Sequence, residues 1–575
     1  MLENLLYFLV TSLFCLLWGM PIIYWFDPKT KRDNEYNLEQ LIFSFFIGLA
    51  ALSLISAWIS IFTGVKIQVL VLVSLPWVVY WGGFLKRLQF SLKNINSLNK
   101  QDALFIVSVL FMFFTLSSGQ PVFEDTELYH VQSIKWINEY GTVPGLANLY
   151  LRYGFYTNWF RLISLFELPF VPSNYLYLNN ALCVWFFFFI YYQLKKFSGL
   201  HAPTYSKHLR LYYILVLLYM LFEWDLFRVA SSSTSYDFVV TVYTLLILHL
   251  IMFMILHKDI PRQLHLCLLF FFATLPFFKV SGFLVAVLFL TYVILFKPPI
   301  KYILFFTMIG LAGMLSFLII NYVQTGYPFY PYFATHDLQP EWQVPHDMVN
   351  KFSKFITIHN RYINQSPPPQ AWDTDASFSY MHNWFPYLTM LDKLLLILSA
   401  LSLPTAPRVL RRLYPDCHFK ILLVLLACYC MIAIWLLFSP DPRFSFSTLL
   451  FTSMFTIAGL LYNVSKQWMT QTILTLTAGI ILFYTASKWI TKLPIRNIIQ
   501  PDAVPVPVYQ SVVKNDIPFY IPEKFGGNWN RRCYNTPLPC IYELNPWLQP
   551  RGADLIYGFK MTSNPDSEFI KNYNY

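Results

Sequence analysis

Apolar stretches of about twenty residues recur along this chain, and no other feature of the sequence constrains its fold as tightly. Crossing roughly 30 Å of hydrocarbon takes about 20 residues of helix, because every backbone N–H and C=O must find its partner inside the segment. Fourteen stretches meet or approach that length: 4–24, 41–63, 68–85, 102–119, 176–194, 211–227, 236–256, 264–278, 282–296, 302–322, 391–406, 420–438, 444–462 and 470–489. Glu223 and Asp225 near the end of 211–227, and the chance that 264–296 is one broken hairpin, leave the count at about fourteen. With 56% hydrophobic and 12% charged residues, the chain has too little charge to clothe a soluble protein of this length. The expected fold is an all-α polytopic transmembrane bundle.

The formal net charge of +11 does not point to nucleic acid, because the cations fall in short clusters between apolar runs. Lys29, Lys31 and Arg32 follow the first stretch, Lys86, Arg87, Lys93 and Lys100 the third, and Lys195, Lys196, Lys207 and Arg210 the fifth. Lys258 and Arg262, Lys297 and Lys301, then Arg408, Arg411, Arg412 and Lys420, and finally Lys466 continue the series. If the spans alternate, every cluster lies on one side, and the positive-inside rule makes that side cytoplasmic. Both termini then lie outside. The first apolar run is long for a signal-peptide core and lacks a small-residue cleavage site, so it reads as a retained helix.

This topology divides the chain into a transmembrane domain over 1–490, with long outer segments at 120–175 and 323–390, and a small extracytoplasmic domain over 491–575. Pro501, Pro505 and Pro507 would form the linker into the latter. Cys15, Cys183, Cys267, Cys428 and Cys430 fall in apolar spans as small hydrophobes. Cys533 and Cys540 flank a short Asn- and Pro-containing loop on the outer side, where a disulfide is expected; the alternative is a free or metal-linked pair.

Chemistry concentrates in Pro121-Val-Phe-Glu124-Asp125-Thr126-Glu127-Leu128-Tyr129-His130. Leu128, Val131, Ile134 and Ile137 continue at helical spacing, which predicts an amphipathic helix lying along the outer membrane surface. Three carboxylates in its first turn suit the helix dipole. They also supply what a general-base site needs, with His130 one turn beyond Thr126 and Glu127. Lys279 and Arg443 sit at outer ends of spans, where they would meet a lipid phosphate or snorkel to headgroups. Asp237, after Ser231-Ser-Ser-Thr-Ser235-Tyr236, reads either as a second functional acid or as a helix N-cap. His382, in an aromatic outer loop, is either structural or a sugar contact. No phosphate-binding Gly-rich loop, zinc-protease helix or nucleophile elbow occurs.

Acids following an early span, on a juxtamembrane helix of a polytopic protein, resemble the GT-C superfamily of polyprenyl-phosphate-dependent glycosyltransferases. The chain also looks like a family of bacterial polytopic membrane proteins of GT-C-like character. That likeness rests on Glu124-Asp125, Tyr129-His130, Trp136, Pro144-Gly145-Leu146-Ala147-Asn148-Leu149, Lys279-Val-Ser281-Gly282, Thr325-Gly326-Tyr327-Pro328, Pro440-Asp441-Pro442-Arg443-Phe444 and the Cys533/Cys540 region. It departs in one respect: GT-C enzymes commonly carry the acidic loop after the first helix, and here it follows the fourth.

The resemblance implies transfer of a sugar from a polyprenyl phosphate, with inversion, to an extracytoplasmic glycan, lipid or protein at the bacterial inner membrane, with the site in the periplasm. Asp125 would be the base, with Glu124 and Glu127 beside it; Lys279 and Arg443 would face the donor phosphate; and Tyr129, His130, Asp237 and His382 would contact substrate. Asp125 and Glu127 could support a divalent cation, Mg or Mn, though no motif requires one. The competing readings are a flippase for lipid-linked saccharide, which calls for ionisable groups at the bilayer midplane, and an O-antigen ligase or polymerase, for which Arg361, His359 and His382 are the residues to watch.

Overall fold

The computed structural model describes the chain apart from residues 27–37, 81, 84, 86–98, 170, 172–176, 199–204, 258–259, 333–337, 363–379, 464–466, 524–531, 543–544 and 567–575. The basic clusters at Lys29–Arg32 and Lys86–Lys93, with Lys258 and Lys466, lie outside the described residues.

Within the described residues each of the fourteen apolar stretches falls largely on helix, but they are not fourteen equal spans. Among the described residues seven helices are long and apolar enough to cross a membrane: Leu2–Phe26, Leu38–Phe62, Asp237–Leu256, Ile300–Thr325, Met390–Leu413, His418–Phe438 and Thr472–Thr491. The others are shorter, more polar or broken. Tyr177–Lys196 carries Asn179, Asn180 and Gln193 inside it. Ile67–Ser74 and Arg262–Thr274 each pass into a 3₁₀ turn at a proline, Pro76 or Pro276, whose ring blocks the next helical hydrogen bond.

Burial sorts these helices. Asp237–Leu256 is central, with 89% of its most apolar window buried, whereas only 28% is buried in Ile300–Thr325 and in Thr472–Thr491. Leu304, Phe305, Met308, Leu311 and Leu315 project outward from Ile300–Thr325. A continuous apolar band of this kind on a helix exterior is what contact with lipid tails selects. The chain is therefore a helical integral membrane protein. Helices Leu2–Phe26 and Leu38–Phe62 cross at reciprocal glycines: a Cβ on Gly19 would lie 1.7 Å from the Ser44 carbonyl oxygen, and one on Gly48 1.8 Å from that of Cys15. Small residues permit this approach, and dispersion across the seam holds it.

Polar groups gather at the two ends of the bundle. At one end Lys195 pairs with the buried Asp102 at 2.6 Å and Lys196 with Glu39 at 2.8 Å. At the other, the N-terminal amino group bonds the Asn497 carbonyl at 2.8 Å, and Asn497 Nδ2 donates to the Ser118 carbonyl at 2.8 Å. Ser118 leads directly into the acidic segment.

That segment forms no free surface helix. Glu124 and Asp125 begin a helical run, Thr126–His130 is a π turn, and Val131–Tyr140 continues as α-helix. Val131, Ile134 and Ile137 are buried as expected, but so are Gln132, Trp136 and Asn138 on the opposite faces. The C-terminal segment covers them. Gln132 Nε2 donates to the carbonyls of Tyr534 at 3.0 Å and Thr536 at 2.8 Å, and Lys135 reaches the Thr536 carbonyl at 2.7 Å. Periodicity found the apolar face correctly; protein rather than water meets the polar one.

The C-terminal segment is built from two antiparallel pairs, Tyr509–Lys514 with Ile517–Pro522 and Leu548–Pro550 with Phe559–Met561. Cys533 and Cys540 are disulfide-bonded, and Cys540 bridges to Tyr520 of the first pair. The second pair docks where Phe559 N–H meets the Pro144 carbonyl at 3.0 Å.

Candidate functional site

Folding brings seven ionisable side chains from separate stretches to one end of the apolar bundle. Asp125 stands at the mouth of the π turn. A π turn adds one residue to the helical ring, and such insertions are frequent at functional sites. Arg152, on the 3₁₀ turn Leu151–Gly154, donates from Nη1 to Asp125 Oδ1 at 3.1 Å. Burial pushes the Asp125 carboxyl up, but Arg152, with His130, Arg443 and His359 behind it, outweighs burial and holds it below the ordinary aspartate value. Asp125 is thus a firmly ionised carboxylate with one oxygen engaged.

His130 lies on the far side of the turn, 1% exposed, with its ring packed on Tyr129 and Phe160 at centroid distances of 4.4 and 4.7 Å. Nδ1 is 2.7 Å from Thr234 Oγ1, which also lies 3.2 Å from Thr126 Oγ1. Nε2 is buried with no hydrogen-bond partner among the described residues. Burial drives its pKa down to about 3; Asp125 opposes this, and Arg152, Lys279 and Arg443 reinforce it. His130 is neutral at physiological pH and serves as a packed hydrogen-bonding group. Tyr129 is buried beside it, its hydroxyl 3.2 Å from that of Tyr236.

Asp237 and Lys279 form a direct ion pair. Asp237 is the first residue of its helix and does not cap it: the N-cap position falls to Tyr236, with no side-chain cap bond. Lys279 turns inward rather than towards headgroups. Its ammonium lies 3.4 Å from the Phe444 ring centroid and 5.2 Å from that of Tyr236, a cation–π arrangement. Arg443 is likewise turned inward. Its Nε and Nη2 contact Asp441 Oδ2 at 3.0 and 2.6 Å, while Asp441 Oδ1 accepts from the Arg443 backbone N–H at 3.0 Å. The 3₁₀ turn Pro442–Phe444, capped by Asp441, thereby holds its own arginine in place.

Glu124 and Glu127 face another way, both pairing with Arg532 of the C-terminal segment. Burial raises the Glu127 carboxyl and Arg532 partly restores it. Asp125 and Glu127 therefore do not converge on one point, and among the described residues no group of three His, Cys, Asp or Glu side chains is placed to hold a metal ion. His382 is exposed on the short helix Met381–Trp384, which packs through Trp384 against Trp435. Within the same 323–390 segment it is His359 that interacts electrostatically with Asp125 and Arg443, while Arg361 is buried and braces the Leu437 carbonyl at 3.4 Å.

Sequence reasoning missed the partners Arg152, Asp441 and Arg532. Arg152 stands as a lone cation in an aromatic stretch, Arg532 as a cation in the polar C-terminal segment, and Asp441 as part of a short motif. A small cavity of about 10 Å³, the space of a single water, adjoins the cluster, lined by Phe123, Asp225, Ser235, Asp237, Thr241 and Arg443 among others. It offers a charged, aromatic-edged recess at the end of apolar helices.

Fold and site together define a polytopic helical membrane protein with an ionised cluster, built from distant parts of the chain, at one end of its bundle. The chain belongs to the DUF8201 family, described as a domain of unknown function, whose profile matches residues 1–450. No curated protein and no solved structure matches it. The matched stretch contains every residue of the Asp125 cluster, whereas Arg532 and the disulfide come after it.

Proposed function

We propose that this protein is a GT-C-like membrane glycosyltransferase that moves a sugar, with inversion, from a polyprenyl phosphate to an extracytoplasmic glycan, lipid or protein acceptor. The observation that carries the reading is the cluster of Asp125, Arg152, Asp237, Lys279, Asp441 and Arg443, whose ion pairs gather around Arg443 at the end of apolar helices, with Asp237 and Arg443 lining a small recess. Ionisable groups in such a place are expensive and are kept for chemistry on charged substrates. The topology in this reading has about fourteen crossings, both termini outside, and the site facing the periplasm of a bacterial inner membrane. The ion pairs of Lys195 and Lys196 at the opposite end of the bundle agree with the positive-inside orientation.

In this mechanism the donor's lipid tail stays among the helices and its phosphate enters the recess. Lys279 and Arg443 are shared between their carboxylate partners and the phosphate oxygens, stabilising the charge that grows as the leaving group departs. The acceptor hydroxyl approaches the opposite face of the anomeric carbon, oriented by the ionised Asp125 that Arg152 fixes in position. Phe123, Tyr236 and Phe444 edge the site and offer faces on which a sugar ring can stack.

The test is sugar transfer by purified protein in nanodiscs, supplied with a panel of polyprenyl-phosphate hexoses and pentoses. Turnover by the parent and at least a tenfold lower kcat/KM in folded Asp125→Asn is the expected result. Donor movement across vesicle membranes without transfer would replace this reading with that of a flippase.

A further inference from the structure

Every carboxylate of the site discussed so far is held by a cation: Asp125 by Arg152, Asp237 by Lys279, Asp441 by Arg443, and Glu124 and Glu127 by Arg532. Asp225 is different. It sits on the π turn Trp224–Arg228, the second such turn at this end of the molecule, where its backbone N–H donates to Glu223 Oε1 at 3.3 Å. Its carboxylate makes no hydrogen bond or ion pair with another described residue, yet it lines the same cavity as Arg443, Asp237 and Phe123.

We propose that Asp225 is the carboxylate that receives the acceptor's proton, an inference that rests on the sugar-transfer reading above. The charged groups facing it are Arg443, Asp441 and Asp237 across the cavity and Asp392 from helix Met390–Leu413, with Tyr219 and Glu223 on its own side. Burial pushes the Asp225 carboxyl up; Arg443 draws it down, and Asp441 and Asp237 push it further up. Asp125 is shifted the opposite way by Arg152 and its neighbours. Asp225 thus presents an unengaged carboxylate to the cavity, whereas Asp125, held by Arg152, is the positioning group.

The step balances without a further reactant. The acceptor oxygen forms a bond to the anomeric carbon as the bond from that carbon to the phosphate oxygen breaks. The polyprenyl phosphate leaves with the electron pair, and the acceptor's proton passes to an Asp225 oxygen. After product release the proton passes to solvent.

The experiment compares parent, Asp225→Asn, Asp225→Glu and Asp125→Asn as full chains in nanodiscs, using the polyprenyl-phosphate sugar that the parent turns over best. Thermal melts establish that each variant is folded. Asp225→Asn should lower kcat by about 100-fold with KM within about threefold, and should abolish the acid limb of the kcat–pH profile. Asp125→Asn should keep that limb and raise the acceptor KM. Parental kcat and an unchanged acid limb in Asp225→Asn would overturn the assignment and leave the sugar-transfer reading standing. Absence of transfer by the parent across the whole donor panel would overturn both. If Asp225→Asn does not fold, Asp225→Glu decides: a displaced acid limb supports the assignment, and an unchanged one removes it.

Discussion

Lys279 and Asp237, 42 residues apart, form an ion pair beneath the Phe444 ring, and both side chains are largely buried. Taking either charge out of water costs several kcal/mol, which the pair recovers only while both members are present. Lys279→Ala leaves a buried carboxylate unpaired and should destabilise the protein by about 3–5 kcal/mol. Lys279→Ala with Asp237→Ala should restore most of that loss without restoring transfer. Thermal melts of the single and double variants in one detergent check the coupling.

His130 makes the Glu124–Tyr140 segment acid-sensitive. Its pKa falls from an ordinary 6.5 to about 3 on folding, so the unfolded chain binds the extra proton first. The associated stability is complete above pH 6.5 and is lost progressively as pH falls towards 3. Between pH 7 and pH 5 this amounts to about 2 kcal/mol. His130→Gln, which keeps a polar group facing Thr234, should flatten the dependence of melting temperature on pH over that interval. A parental slope in the variant would assign the sensitivity to another group.

What the sequence disclosed followed from local physics. Apolar runs located the helices because lipid contact and backbone satisfaction act along the chain, and Glu124, Asp125, Lys279 and Arg443 stood out as charges at the ends of such runs. Their partners did not. Arg152 lies 27 residues from Asp125 and Arg532 lies 405 from Glu127, separations at which no periodicity operates. The π turns at Thr126–His130 and Trp224–Arg228 have no compositional marker, so Asp225 read only as a charge at the end of a span. The helix Val131–Tyr140 was visible as amphipathic, but its spacing could not tell whether water or a docked segment covers Gln132.

That docking depends on two glycines. Gly558, at φ +81°, brings its α-carbon so close to Pro144 that a Cβ would lie 1.9 Å from the carbonyl oxygen, and a Cβ on Gly145, at φ +62°, would lie 2.0 Å from the Phe559 oxygen. Both the backbone conformation and the contact exclude a side chain. Gly558→Ala should therefore detach the Phe559–Met561 strand from the Pro144–Gly145 turn at a cost of about 1–3 kcal/mol. Limited proteolysis should cut the variant faster in the 491–508 region while the bundle stays intact, and equal cleavage of parent and variant would show that the junction contributes little.

The disulfide stabilises the same junction by another route. It closes a loop over Cys533–Cys540, with a sequence separation of 7, and a loop that short restricts the unfolded chain by roughly 2–3 kcal/mol. The benefit is local, because the loop presents the Tyr534 and Thr536 carbonyls to Gln132 and carries Arg532 to Glu124 and Glu127. Losing it should release Arg532 and leave two neighbouring carboxylates without their shared cation. Cys533→Ser with Cys540→Ser should then raise hydrogen exchange at Gln132–Trp136 and over 532–541, with little change in the central helix Asp237–Leu256. Arg532→Ala should loosen the Glu124–Glu127 turn while leaving exchange across the disulfide loop closer to parental. If both variants exchange like the parent at Gln132–Trp136, the C-terminal segment covers that helix without holding it.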